Sequence, residues 1–322
     1  MSKKYIVTGG AGFIGSHVVE ALLARGDSVI VVDNLSAGKR EYLPDNPNLT
    51  FVEVDIGDWE ALSRKFYYFK DVYGVFHLAA QARIQPSIYD PSETHNSNIT
   101  GTMHVLEMMK MLGIQNIVYS ASSSYYGLKN TSPLKEDMPS DCLNPYSLAK
   151  YVGELYCKTW GKLYGVKSVC LRYFNVYGRR SPVVGQYAPV LGLWFRHVLC
   201  DKKKYTVIGD GDQRRDFTHV SDVVAANLAA MRYVAYADGL SLNVGTGTNY
   251  SLNELGQLFE EVLRSHGIMT TSNHTPPRPG EARETLADCT LTQKTIQWTA
   301  KTDIKDGLED LWNYYTDQKF RW

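Results

Sequence analysis

The segment Thr8-Gly9-Gly10-Ala11-Gly12-Phe13-Ile14-Gly15 joins an apolar run to an amphipathic one, and it narrows the fold more than any other stretch of the chain. Tyr5 to Thr8 reads as a strand. Ile14, Val18, Val19, Leu22 and Leu23 then recur at helical spacing, and Gly26 follows as a stop. A glycine-rich turn running from a strand straight into a helix lets the backbone approach a diphosphate, whose charge the open N–H groups and positive end of the helix attract. The glycines alone would also suit a plain turn. Asp33 adds the second half of the pattern: it ends the next predicted strand, where a carboxylate accepts hydrogen bonds from ribose hydroxyls and repels the extra phosphate of NADP. NAD is therefore the expected cofactor.

Further strands are expected at Ser28 to Asp33, Thr50 to Asp55, Gly74 to Leu78, Asn116 to Ser120 and Lys167 to Tyr173, with helical patterns between them. Such alternation predicts an α/β fold, a doubly wound Rossmann parallel sheet. Past residue 174 the pattern breaks into Pro- and Gly-containing loops with isolated helices and short strands. This predicts an NAD-binding domain over 1–174 and a smaller α/β nucleotide-sugar domain over 175–322, with some segments returning to the first. The 322 residues carry 34 basic and 34 acidic side chains, so no global field attracts nucleic acid or a membrane surface. No apolar run is long enough to span a bilayer, and the first residues lack the pattern of a cleaved signal, so a cytoplasmic protein is expected. The five cysteines and eight histidines show no metal-ligand spacing, and no metal is expected.

Counted from Gly9 the turn reads G-G-A-G-F-I-G, a tighter form than the common dinucleotide fingerprint. It resembles the extended short-chain dehydrogenase/reductase family, of the UDP-sugar 4-epimerase type. The resemblance recurs at Asp55-Ile56, His77-Leu78-Ala79-Ala80-Gln81, Asn98 before Gly101-Thr102, Ser120 to Gly127, Tyr146 to Lys150, Arg172 to Gly178, Arg215-Asp216-Phe217 and Arg278-Pro279-Gly280-Glu281. It implies that Gly9, Gly12, Phe13, Ile14 and Gly15 hold the diphosphate, with Asp33, Asn34, Ser36 and Gly38 around the ribose. Asp55 and Ile56 would hold the adenine. Leu78, Ala79, Ala80 and Gln81 would line the diphosphate and nicotinamide ribose, with Asn98, Ser120 and Tyr173 completing the cofactor set.

Tyr146 and Lys150 lie four apart behind Asn144-Pro145, a helix entry, so both share one helical face. A free phenol is a poor base at neutral pH; an adjacent ammonium and a cationic nicotinamide both favour the phenolate. Tyr146 is thus the expected general base and acid, Lys150 its tuning cation and ribose ligand. Taken alone, Tyr-x-x-x-Lys is a common surface pair. By resemblance, Ser122 hydrogen-bonds the same reacting oxygen, with Ser123 beside it. Related dehydratases and decarboxylases carry an Asp or Glu just before the Tyr126-Gly127 pair, whereas this chain has Ser124 and Tyr125. What remains is reversible oxidation at C4, with a 4-keto sugar turning over in the site and the hydride returning.

Arg215 and Arg278 resemble the family's diphosphate clamps, a task that suits guanidinium groups. Asn175 would assist them, Ala188, Val190, Tyr205 and Val207 would surround the uridine, and Glu281 belongs to the same motif as Arg278. Thr285 falls where a bulky Tyr is associated with exclusion of N-acetyl groups. Threonine leaves room, which implies UDP-GlcNAc and UDP-GalNAc as substrates, alongside UDP-glucose and UDP-galactose. Arg83 departs from this pattern: it stands where N-acetylhexosamine epimerases have small residues, and a guanidinium there suits a C6 carboxylate, as in a UDP-glucuronate 4-epimerase. A reading from another class is a catalytically silent NAD-binding sensor. The helical patterns around Thr94 to Met111 and Tyr146 to Leu163 match those that pair in this family's homodimers, although apolar stripes equally serve a monomer's core.

Overall fold

The computed structural model describes residues 2–183, 188–276, 282–317 and 320. Its centre is a parallel sheet of β1 (Lys4–Thr8), β2 (Ser28–Asp33), β3 (Leu49–Glu53), β4 (Gly74–His77), β5 (Asn116–Ser122) and β6 (Lys167–Tyr173), joined by a seventh strand, Leu240–Val244. The order is Leu240–Val244, β6, β5, β4, β1, β2, β3. Chain direction around the sheet reverses between β1 and β4, which opens a crevice at the carboxyl ends of the strands.

The seventh strand was not among those expected from sequence. Leu240–Val244 is short and is recruited by pairing in register with β6, Leu240 against Val169 through Val244 against Tyr173. Long-range pairing of this kind leaves no local signature. β5 also runs further than expected, to Ser122, because it stays paired with β6 as far as Tyr173.

Alternation along the strands divides the core. Tyr5, Val7, Val29 and Val31 pack with Val18, Val19 and Leu22 of helix α1 (Phe13–Ala24) and with Val223 and Met231 of the Val220–Arg232 helix. Ile6, Ile30 and Val32 face the other way, against Val105, Leu106 and Met109 of the Gly101–Leu112 helix and Cys157 of the Pro145–Tyr164 helix. Each fully buried aliphatic of this kind contributes about 1.5–3 kcal/mol. A separate cluster holds the C-terminal part, where Trp194, Phe195 and Tyr205 pack against Phe259, Leu308 and Leu311. Among the described residues no helix is long and apolar enough to cross a membrane.

Candidate active site

The glycine turn closes on itself through backbone contacts. Gly9 has φ of 67°, and a Cβ there would lie 2.6 Å from the Ala79 nitrogen; a Cβ on Gly15 would lie 2.1 Å from the Gly9 carbonyl oxygen. Only glycine fits either position. Asp33, at the end of β2, accepts from the Ala11 N–H at 2.9 Å and from the Leu35 N–H at 2.8 Å, so one carboxylate sets the shape of the turn. Burial raises its pKa, and those two bonds oppose the rise. Gly12 caps α1 with no side-chain cap, and the first turn of the helix holds no acidic residue. The donor set and the glycine cradle fit a dinucleotide diphosphate.

Around this turn, Asn34 donates to Asp55 at 2.8 Å, and Ser36 donates to Asn34 through both its N–H and its hydroxyl. A Cβ on Gly38 would press on the Ala11 backbone at 2.8 Å. Ile56 turns its side chain into the core against Gly101 and its carbonyl meets the His104 ring at 2.8 Å, which leaves its backbone N–H for the adenine. Asn98 is buried and pairs twice with Gln81, accepting from its N–H at 2.7 Å and donating to its carbonyl at 3.0 Å. His77 links the same region. Thr102 donates to the Asn98 carbonyl, so the His77 Nε2–H donates to Thr102 and Nδ1 accepts from Thr8. Burial holds His77 neutral, its pKa pulled down to about 3. Leu78, Ala79 and Ala80 run between these anchors with partial exposure.

The Pro145–Tyr164 helix begins with a reciprocal cap. The Asn144 side chain accepts from the Ser147 N–H at 2.9 Å, the Ser147 hydroxyl accepts from the Asn144 N–H at 3.2 Å, and Pro145 takes the first helical position. Tyr146 and Lys150 follow one turn apart. Lys150 is 5% exposed, and its Nζ donates to the Ser120 carbonyl at 2.8 Å while lying 5.2 Å from the Tyr119 ring centroid. Burial lowers its pKa to about 8. Ser122, at the end of β5, lies near enough to Tyr146 to oppose the rise that burial gives its phenol. It also accepts from the Ser124 N–H at 3.2 Å and hydroxyl at 2.9 Å. Ser123 opens the short turn that follows. Ser120 and Tyr173 share a hydrogen bond of 3.0 Å, and the Tyr173 hydroxyl reaches Asn227.

Burial raises the pKa of the Tyr146 phenol, and Ser122 opposes the rise. Sequence reasoning missed Ser87. Buried at the heart of the Ile84–Tyr89 helix, it accepts from the Tyr146 N–H at 3.1 Å and donates to the Ile84 carbonyl at 2.6 Å. A serine in a short helix carries no sequence signal for that role.

At the sugar-nucleotide end the placements divide. Tyr205 and Val207 are 2% and 1% exposed, packed inward, with the Tyr205 ring against Trp194 and Phe259 and its hydroxyl on Glu260. Their side chains are not available to a uridine. In a strand the alternate residues face the other way, so Thr206 and Ile208 take the more open side. Ala188 is likewise buried, and Val190 starts the Val190–Phe195 helix against the same cluster. Asn175 is exposed and donates to the Asp216 carbonyl. Arg215 donates to the Arg214 carbonyl at 2.9 Å, and Arg214 is engaged by Asn249 and Glu254. Thr285 donates its N–H to the Arg214 carbonyl, and its buried hydroxyl has no hydrogen-bond partner among the described residues. Arg278 and Glu281 lie outside the described residues.

Residues 5–245 match the NAD dependent epimerase/dehydratase family; the chain belongs to that family, and its cofactor is NAD. A putative UDP-glucose 4-epimerase of Methanocaldococcus jannaschii is 37% identical over 310 residues, covering 96% of this chain and 97% of the relative. A UDP-glucuronate 4-epimerase of Thermodesulfobacterium geofontis is 32% identical over 322 residues, covering 96% and 95%. Among solved structures, a UDP-N-acetylglucosamine 4-epimerase of Methanobrevibacter ruminantium M1 in complex with UDP-N-acetylmuramic acid aligns with a TM-score of 0.90 at 32% identity, over 98% of this chain and 99% of that one.

Proposed function

We propose that this protein interconverts the C4 epimers of a UDP-hexose by transient oxidation at C4, and that its pocket admits a 2-acetamido group, as in UDP-GlcNAc and UDP-GalNAc. The observation that carries the reading is buried Lys150, one helical turn past Tyr146 and donating to the Ser120 carbonyl, in a site where the two positions before Tyr126-Gly127 are Ser124 and Tyr125, with no carboxylate. Ser124 spends its hydroxyl on Ser122, and Tyr125 points its own at the Met138 carbonyl, so neither serves as an acid for elimination. Tyr146 takes the proton of the 4-hydroxyl and returns it to the ketone oxygen; Ser122 holds that same oxygen in line. Bound NAD supplies the hydride acceptor for C4, the return of that hydride, and a positive ring charge that favours the phenolate. Because the hydride returns, the cofactor is carried through turnover unconsumed.

The names of the relatives support 4-epimerisation as the reaction class. For the acetamido group, support comes from Thr285, whose buried, unsatisfied hydroxyl gains a hydrogen bond from an amide. We further propose a cytosolic homodimer. Leu148 and Leu155, 52% and 44% exposed, lie seven residues apart on one stripe of the Pro145–Tyr164 helix, and Met111 is exposed at the end of the neighbouring helix. Sedimentation checks it.

The reaction is tested by incubating purified protein with UDP-glucose and with UDP-GlcNAc, without added NAD, and reading the anomeric proton signals. Both sugars are expected to equilibrate with their C4 epimers, and Tyr146→Phe to slow this about 10²–10⁴-fold. A variant as fast as the parent would leave the silent-sensor reading in its place. Thr285→Tyr should lower the preference for the N-acetylated sugar.

A further inference from the structure

Ser124 is a polar residue beside the reacting centre to which the reaction scheme gives no task. It lies in the short turn Ser123–Tyr126, and that turn is pinned on both sides. Tyr125 and Tyr126 are 8% and 1% exposed, with the Tyr125 hydroxyl on the Met138 carbonyl and the Tyr126 hydroxyl on Asn243 at 2.6 Å. Behind them the Asp141 N–H donates to the Tyr125 carbonyl at 2.9 Å. Gly127, at φ 57°, closes the turn so tightly that a Cβ there would lie 2.1 Å from the Asp141 carbonyl oxygen. A turn held in this way fixes the direction of the side chains it carries.

Both polar hydrogens of Ser124 go to one atom. Its N–H reaches the Ser122 Oγ at 3.2 Å, and its hydroxyl reaches the same oxygen at 2.9 Å. A hydroxyl oxygen has two lone pairs and one hydrogen, so two donors fill its acceptor capacity and leave the third direction to its own hydrogen. The opposite orientation, with Ser122 giving its hydrogen to Ser124, would turn a lone pair toward the Tyr146 phenolate and oppose that charge. Ser122 instead acts on the Tyr146 phenol against the rise caused by burial, as a donor does.

We infer that Ser124 is a positioning residue: by occupying both lone pairs of Ser122, it keeps that hydroxyl a donor to the reacting oxygens throughout turnover. The inference rests on the 4-epimerase reading and deepens it. In the forward step the 4-hydroxyl proton passes to the Tyr146 phenolate, the O–H electron pair becomes the second C–O bond, and the C4 hydrogen leaves with its pair for NAD. Ser122 keeps its own proton in both directions, and its hydrogen steadies the phenolate before the step and the ketone oxygen after it. It is a fixed donor and not a relay.

The test uses the NAD-loaded parent with Ser124→Ala, Ser124→Thr, Ser122→Ala and the double variant Ser122→Ala with Ser124→Ala. The Tyr146 phenol is titrated by its phenolate absorbance, each protein minus its Tyr146→Phe counterpart, beside kcat and KM against pH with UDP-GlcNAc and UDP-glucose. Lys150 shares the helix of Tyr146, and Tyr119 on β5 and Tyr173 on β6 are phenols that burial raises. Arg83 caps the Ile84–Tyr89 helix, whose Ser87 accepts from the Tyr146 N–H, and it stays charged. All four are common to parent and variants. Ser124→Ala should raise the Tyr146 midpoint by about 1 pH unit and cut kcat at neutral pH about 10-fold with KM held, the loss fading at high pH. Ser124→Thr should restore both, and Ser124→Ala should add nothing once Ser122 is alanine. A Ser124→Ala midpoint equal to the parent's, a loss confined to KM, or additive losses in the double variant would each overturn the inference. A parent that equilibrates neither sugar would bring down the proposed function, and the absorbance titration would still decide whether Ser124 sets the donor.

Discussion

Two cations are buried against the same helix, and their surroundings are opposites. Arg172, on β6, is 2% exposed and meets Glu154 side on, Nε to Oε1 at 2.9 Å and Nη2 to Oε2 at 2.8 Å. Ser241 donates to the same carboxylate at 2.7 Å, Tyr126 accepts from Nη1 at 3.1 Å, and the guanidinium stacks 3.5 Å from the centroid of Tyr125. Burial pulls its pKa down, but the Glu154 bonds more than offset this and the net shift is upward. Lys150 sits one helical turn from Glu154 with a carbonyl for company and no carboxylate, and its pKa falls. The first region is neutralised and holds the helix to the sheet. The second keeps an uncompensated charge where the cofactor and substrate are to arrive, and sites of that kind are where function departs from stability.

The sharpest way to break this contrast is Lys150→Met. Turnover should fall about 10²-fold or more, while the cofactor-free protein becomes more stable at neutral pH. Lys150 has a folded pKa near 8, below its ordinary value of 10.5. Below pH 8 both folded and unfolded chains hold the proton and the whole cost is present. Between about 8 and 10.5 the folded protein releases it first, the unfolded chain binds more protons, and the parent gains stability as pH rises, by up to about 3 kcal/mol. The advantage of the variant in denaturant melts should therefore shrink across that window; a constant difference would show that Lys150 is not strained.

On the Arg172 side the expected effect is on folding. Arg172→Met strands a buried carboxylate and should cost about 3–5 kcal/mol, whereas Arg172→Met with Glu154→Leu should recover most of it. If the double variant melts no higher than the single one, the pair is more than a matched charge. The smallest effect belongs to the helix both regions share. Asn144→Ala removes the cap beneath Tyr146 and should cost about 1 kcal/mol, seen in the melt, with a modest fall in kcat as the tyrosine loses its fixed entry.

Much of the candidate site was legible because its signals are local. The turn from Gly9 to Gly15, Asp33 at the end of β2, the Asn144-Pro145 entry and the one-turn spacing of Tyr146 and Lys150 all depend on residues close in the chain. Less was legible where distant segments meet. The inward phase of Tyr205 and Val207 depends on a cluster built by Trp194 and Phe259, and the role of Ser87 depends on a helix that starts 58 residues later at Pro145. The strand Leu240–Val244 becomes part of the sheet through β6 alone.

From its order of residues alone this chain was bound to make a parallel sheet with a diphosphate-binding turn and a Tyr/Lys face, since turn sterics, capping and helical period act over a few residues. Which charges would be matched was settled only when the chain closed up. Burial and pairing belong to groups far apart in sequence, and whether Arg172 meets Glu154, Arg180 meets Glu20, or Lys150 is left with a carbonyl is a property of how those distant surfaces pack.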